Sequence, residues 1–133
     1  MPATALDHVT VVTKDLQASR DFYIGVLGLE EADFRPDFPF DGAWLTLGER
    51  AVVHLVVMDS RERGDGNTQP FDHFALRAQN MTGMRKTLAK HRIAFEEAAP
   101  PNSTIRQFFL HDPDGVQVEL TFDATAEKRA GTL

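Results

Sequence analysis

Apolar and polar positions along the chain follow two periods in turn. From Leu6 to Thr13 they alternate and are rich in β-branched residues, the pattern of a strand with two unlike faces. From Asp15 onward the period lengthens. Leu16, Tyr23 and Leu27 fall on one face at helical spacing, Thr13 or Asp15 is placed to cap that helix, and Gly28 suits its end. Three further strands are predicted near Leu29–Phe34, Ala43–Leu47 and Ala51–Met58. The short link Gly48-Glu49-Arg50 joins the last two as a hairpin.

The same succession then recurs. A shift of 65 positions, the separation of His8 and His73, lays Leu6-Asp7-His8-Val9-Thr10-Val11 on Phe71-Asp72-His73-Phe74-Ala75-Leu76. It also lays Trp44-Leu45 on Phe109-Leu110 and Val53-His54-Leu55 on Val118-Glu119-Leu120. Few residues are identical, but apolar positions meet apolar positions almost throughout. This is a repeat of pattern with a period of about half the chain, so it implies two modules. The second module predicts a strand at His73–Arg77 and a helix at about Met81–Arg92 capped by Asn80. Strands follow at Ile93–Glu97, Ile105–Leu110 and Val116–Phe122, the last two joined by the turn Asp112-Pro113-Asp114-Gly115. The expected architecture is α+β: one domain over residues 1–133, made of βαβββ modules at 4–60 and 71–123 that form a cupped mixed sheet. Residues 61–70 are a linker, and a tail at 124–133 has no strong pattern and frays. The segment Arg35 to Gly42, with two prolines and two phenylalanines, is the candidate lid of a pocket.

Strand parity picks out the chemistry. Residues two apart share a face, so His8 lies with Thr10 and Val12, and His54 with Val52 and Val56. His73 lies with Ala75 and Arg77, and Glu119 with Gln117 and Thr121. The repeat makes residues 8 and 73 equivalent, and likewise 54 and 119. A two-fold relation between modules therefore brings the four side chains toward one point. Three imidazoles and a carboxylate are costly to bury unpaired, and a divalent metal removes that cost. His8, His54, His73 and Glu119 are the candidate metal ligands, while His91 and His111 fall on a helix and at a turn and are expected at the surface.

Composition narrows the field. At 133 residues and 42% hydrophobic, the chain has the profile of a globular protein, with no apolar run long enough to span a bilayer. The N-terminus lacks signal-peptide features, and there are no cysteines, which together lead us to expect a cytoplasmic protein. The missing cysteines also exclude thiolate ligands and cysteine nucleophiles. The net charge of -6 argues against a nucleic-acid partner, because the short runs Arg85-Lys86 and Lys90-His91-Arg92 fit the outer face of a helix.

With His8, Phe22-Tyr23, Leu27-Gly28-Leu29, His73, and the run Phe108 to Gly115 followed by Glu119 in view, the chain resembles the vicinal oxygen chelate superfamily. That group includes glyoxalase I, extradiol dioxygenases, and the fosfomycin- and bleomycin-resistance proteins. The resemblance covers about residues 4–123. It implies a metal held by His8, His54, His73 and Glu119 and a small-molecule substrate chelated through adjacent oxygens. It also implies a homodimer in which the site is often shared between subunits. By strand parity the positions facing the substrate include Thr10, Trp44, Thr46, Arg77, Gln107, Phe109 and Gln117. The first expectation is a glyoxalase-like lyase or isomerase using Ni, Zn or Co, with Glu119 or His54 as the proton-transferring group. Glyoxalase I normally has Glu at the position of His54, so this chain departs from it there. The alternatives are an extradiol-type Fe(II) dioxygenase, a fosfomycin-resistance-type thiol transferase using Mn, and a metal-free binding protein of the bleomycin-resistance type.

Overall fold

The computed structural model describes residues 5–58, 71 and 73–133. The expected linker at 61–70 and Asp72 lie outside the described residues. The chain divides into two compact units, Met1–Asn67 and Thr68–Leu133.

In the first unit, β1 is Val9–Thr13, α1 Leu16–Arg20, β2 Glu30–Glu31, β3 Gly42–Leu47 and β4 Arg50–Val57. The Asp15 carboxylate caps α1 by accepting from the Ala18 N–H. The helix then widens into a π-helical turn over Asp21–Val26, in which the Leu27 N–H reaches back to the Phe22 carbonyl. The wider winding buries Phe22, Tyr23 and Val26 together, which adds Phe22 and Val26 to the apolar face that the sequence predicts at Tyr23. Gly28, at φ 83°, ends the element as expected, and the Leu29 N–H closes onto the Tyr23 carbonyl.

The second unit repeats this order. It contains β5 Phe74–Arg77, α2 Met81–Lys90, β6 Glu96–Ala98, β7 Ile105–His111 and β8 Gln117–Asp123, followed by α3 Ala124–Ala130. Asn80 caps α2 through its side chain, accepting from the Gly83 N–H. The Asp-Pro-Asp-Gly turn is built around the buried Asp112, whose carboxylate accepts from the Asp114 and Val116 N–H groups, while Gly115 takes φ 86°.

Each unit holds one four-stranded mixed sheet, ordered β1-β4-β3-β2 in the first and β5-β8-β7-β6 in the second. In both, the first strand runs parallel to the last and the other pairs are antiparallel. The register repeats along with the order. Thr10 pairs with His54 as Ala75 pairs with Glu119, and Trp44 pairs with His54 as Phe109 pairs with Glu119. The shift of 65 is therefore a structural repeat down to individual strand pairs.

The core faces are the expected ones. Val11, Leu45, Val53 and Leu55 are buried in the first unit, and Phe108, Leu110, Val118, Leu120 and Phe122 in the second. The C-terminal segment corrects the expected frayed tail. It forms α3, capped by the Asp123 carboxylate and closed by Gly131 at φ 70°. Its Glu127 is 3% exposed and accepts from the Asn80 and Met81 N–H groups, which are free donors at the start of α2. A distant donor pair, not a local apolar pattern, orders this end of the chain. Among the described residues, no helix is long and apolar enough to cross a membrane.

Candidate metal and substrate site

Strand pairing brings the four expected ligands together as two pairs, one in each unit. Among the described residues, no three His, Asp or Glu side chains come close enough together to hold a metal ion.

In the second unit, His73 precedes β5 and Glu119 lies in the middle of β8. His73 Nε2 is 3.2 Å from Glu119 Oε1. Two ligands about 2.0–2.2 Å from one ion, at right-angled or tetrahedral positions, stand roughly 3.0–3.5 Å apart, so this spacing serves a shared metal as well as a hydrogen bond. Glu119 is 8% exposed. Its Oε2 accepts from the Thr121 hydroxyl at 2.6 Å and more weakly from Gln107 Nε2 at 3.4 Å. Both donors come from the same sheet face, and they fix the carboxylate so that Oε1 faces His73. The Phe109 ring meets His73 edge-on at 6.0 Å. Gln107, Phe109, Thr121 and Glu119 are thus grouped as strand parity predicts. Arg77 is exposed opposite Thr121, and Gln117 pairs with His111 at the far end of β8.

In the first unit, three rings lie in a stack. His8 and His54 have centroids 3.8 Å apart and planes 11° apart, and Trp44 covers the other face of His54 at 4.1 Å and 13°. His8 Nδ1 bonds to the Asp7 carboxylate at 2.7 Å. A carboxylate accepts, so Nδ1–H is directed to Asp7 and Nε2 is the ring nitrogen turned away from it. The same bond is the main cause of the lowering of the Asp7 carboxyl below the ordinary value. Burial, reinforced by the neighbouring His8, holds His54 below the ordinary imidazole value, against smaller opposing pulls from an Ala51 backbone bond and Asp7. His54 is therefore neutral at pH 7, as a ligand or a general base requires. Parallel rings do not aim their in-plane lone pairs at one point, so a shared ion needs one ring to turn. The donor set suits a divalent metal, and the second unit's pair already has the spacing.

Thr10 pairs with His54 and is exposed. Thr46, expected beside Trp44, lies past a bulge between Leu45 and Thr46. It is buried there, and its hydroxyl donates to the Glu30 carbonyl. The pairing shift leaves Val52 of β4 as the extra residue, and the Thr46 hydroxyl is engaged in holding β2. His91 and His111 are exposed, as expected. Asp7, which fixes the His8 ring, is not among the expected site residues, and its place beside a candidate ligand is the signal that points to it.

The sequence pattern of the Glyoxalase/Bleomycin resistance protein/Dioxygenase superfamily matches residues 5–120. The chain belongs to that superfamily. Among its relatives in this superfamily is Glyoxylase I 4 of Arabidopsis thaliana, 31% identical over 122 residues that cover 88% of this chain and 70% of that one. Lactoylglutathione lyase of Escherichia coli O157:H7 is 27% identical over 134 residues, covering 93% and 96%. The solved structure of a glyoxalase family protein from Bacillus anthracis superposes with a TM-score of 0.71 at 23% identity, covering 91% of this chain and 96% of that one. This last likeness concerns the fold.

Proposed function

We propose that this superfamily member is a metal-dependent lyase or isomerase of the glyoxalase type, acting on a small substrate held through two adjacent oxygens. His8, His73 and Glu119 are its metal ligands, and His54 is both an exchangeable fourth ligand and the proton-transferring group. The observation that carries the reading is the Glu119 carboxylate. It is buried, tethered at Oε2 by Thr121 and Gln107, and directed with Oε1 toward His73 at ligand spacing. The relatives named for glyoxalase and lactoylglutathione lyase activity support the reaction class.

When bound, the metal acts as a Lewis acid on the substrate's paired oxygens. The protein's residues do the rest. Asp7 orients the His8 ring through Nδ1. Thr121 and Gln107 keep Glu119 from swinging away, so Glu119 is poorly placed to shuttle protons. His54, neutral and packed between His8 and Trp44, accepts the proton from the carbon beside the substrate carbonyl and returns it to the neighbouring carbon. We further propose that the protein works as a homodimer, in keeping with the size of the chain, to be tested by sedimentation.

The deciding experiment is elemental analysis of protein purified without an affinity tag, beside His73→Ala, Glu119→Ala and His54→Gln. The expected result is near-stoichiometric Ni, Zn or Co in the wild type, lost in the first two variants. His54→Gln keeps the metal and loses turnover. No metal in the wild type, even after reconstitution with each ion, overturns the reading in favour of a metal-free binding protein. One observation supports a second reading. If His54 is set aside as the base, His8, His73 and Glu119 are the two-His one-carboxylate set of non-haem Fe(II) oxygenases, and stoichiometric Fe in the same analysis selects it.

A further inference from the structure

The segment between β2 and β3 forms a fixed aromatic surface continuous with the His8–His54 pair. Phe38 and Phe40 stack at 5.0 Å with planes 13° apart, and the Arg35 guanidinium lies 5.1 and 5.5 Å from their ring centres. Arg35 also donates to the Phe40 carbonyl at 2.9 Å. The Phe38 N–H closes a tight turn onto the Pro36 carbonyl, and the Asp41 carbonyl accepts from Val57 N–H at the edge of β4. Phe34 and Phe38 each touch Trp44, at 6.2 and 6.3 Å, and Trp44 in turn stacks on His54. The rings of Phe40, Phe38, Trp44, His54 and His8 thus follow one another in contact, ending at the candidate metal ligands.

Three of these rings remain in solvent: Phe34 is 52% exposed, Phe38 37% and Phe40 43%. Their open area is on the order of 200–300 Å², from about 150–250 Å² per aromatic side chain. A stable protein partner needs roughly 800 Å² on each side. The surface is too small for that and of the right size for a flat ring. Asp33, Asp37 and Asp41 outnumber Arg35 along the same segment, and Arg35 is already engaged by the Phe40 carbonyl and two rings, so an anionic ring is disfavoured.

We propose that Phe34, Phe38, Phe40 and Trp44 form the substrate shelf of this site, and that the substrate is a small molecule carrying a neutral or cationic planar aromatic group. This rests on the proposed function for the chelating end of the substrate, but the shelf itself binds without the metal. Trp44 is the only tryptophan in the sequence, so its fluorescence reports on the shelf directly.

The test uses the full chain in two titrations. In the first, 2-naphthalenemethanol, which has the flat ring and no chelating pair, is added to metal-stripped protein, with 2-naphthalenesulfonate as the anionic control. In the second, Ni(II)-loaded protein receives 2-naphthohydroxamate and acetohydroxamate, which share one chelating head. The expected result is saturable quenching of Trp44 by 2-naphthalenemethanol with weaker binding of the sulfonate, and 2-naphthohydroxamate about tenfold tighter than acetohydroxamate. Phe34→Ser and Phe38→Ser each weaken both naphthalene probes about threefold at an unchanged urea midpoint. Quenching by 2-naphthalenemethanol with no binding of either hydroxamate supports the shelf and counts against the metal reading alone. No saturable quenching, together with equal affinity for the two hydroxamates, overturns the shelf and leaves the metal reading standing. A dimer that dissociates in Phe34→Ser and excludes 2-naphthalenemethanol overturns it too, assigning the surface to a second copy of the chain.

Discussion

Glu119 has two unlike oxygens. Oε2 is tied to the Thr121 hydroxyl and to Gln107, while Oε1 is left for His73 and, in our reading, for the metal. Hydrogen bonds of this kind orient ligands, and losing one typically weakens metal binding about 10–100-fold. Thr121→Val, which keeps the shape and removes the donor, is therefore expected to bind metal about tenfold more weakly in a chelator competition. An unchanged affinity would show that the carboxylate needs no tether. Glu127 is another buried carboxylate. Burial alone pushes its pKa up, but the Met81 and Asn80 N–H groups, the Thr132 hydroxyl and the charge of Arg85 outweigh it and hold the group below the ordinary value. A lowered folded pKa means the contribution to stability is full above the unfolded value and is lost as pH falls through the folded one. Glu127→Gln is thus expected to be less stable than wild type by about 2 kcal/mol at pH 7. The gap between their urea midpoints should close below pH 4.5, the ordinary value for this group. A gap that persists into acid would mean that packing rather than charge is lost.

At the scale of elements, the two sheets are alike because their strands share one register. The connections differ. In the first unit, β3 begins at Gly42, where an added Cβ would lie 2.2 Å from the Leu55 carbonyl oxygen of the neighbouring strand. No side chain fits there without separating β3 from β4. Gly42→Ala is expected to cost at least about 3 kcal/mol in thermal or urea unfolding, the upper end of overpacking. A near-neutral result would mean that β3 can slide. In the second unit, the turn held by Asp112 connects β7 to β8 and sets the stagger of Phe109 opposite Glu119. The helix α3 belongs to this scale as well. It closes on α2 through the Glu127 carboxylate and, just beyond the helix, the Thr132 carbonyl, so a chain ending at Asp123 leaves the Asn80, Met81 and Thr82 donors unmet. That truncation is expected to destabilise the second unit more than the loss of the helix's modest apolar contacts alone would suggest.

For the whole molecule, metal binding and stability are linked. An ion that binds only the folded chain adds about 2.7 kcal/mol at a free concentration one hundred times its Kd. Reconstituted wild type is expected to melt several degrees higher than metal-stripped protein, as about 2.7 kcal/mol implies for a chain of this size. His73→Ala and Glu119→Ala should show no such rise. A rise of equal size in those variants would place the ion elsewhere. At this scale the division between sequence and structure is also clear. The sequence alone determined the two βαβββ modules and the shift of 65 that relates them. It also determined the strand faces of His54 and Glu119, and the membership that residues 5–120 carry, because period and parity are properties of local chain geometry, whereas His8 and His73 each stand one residue ahead of the strand expected to hold them. Tertiary structure decided what the sequence could not show. Parallel pairing of β1 with β4 placed the His8 ring on His54, and β2 covered Thr46 and took its hydroxyl. Thr121 and Gln107 tethered Glu119, and Glu127 reached α2 to order a tail without pattern. Each of these is a contact set by pairing or packing across elements, and such a contact leaves no period behind.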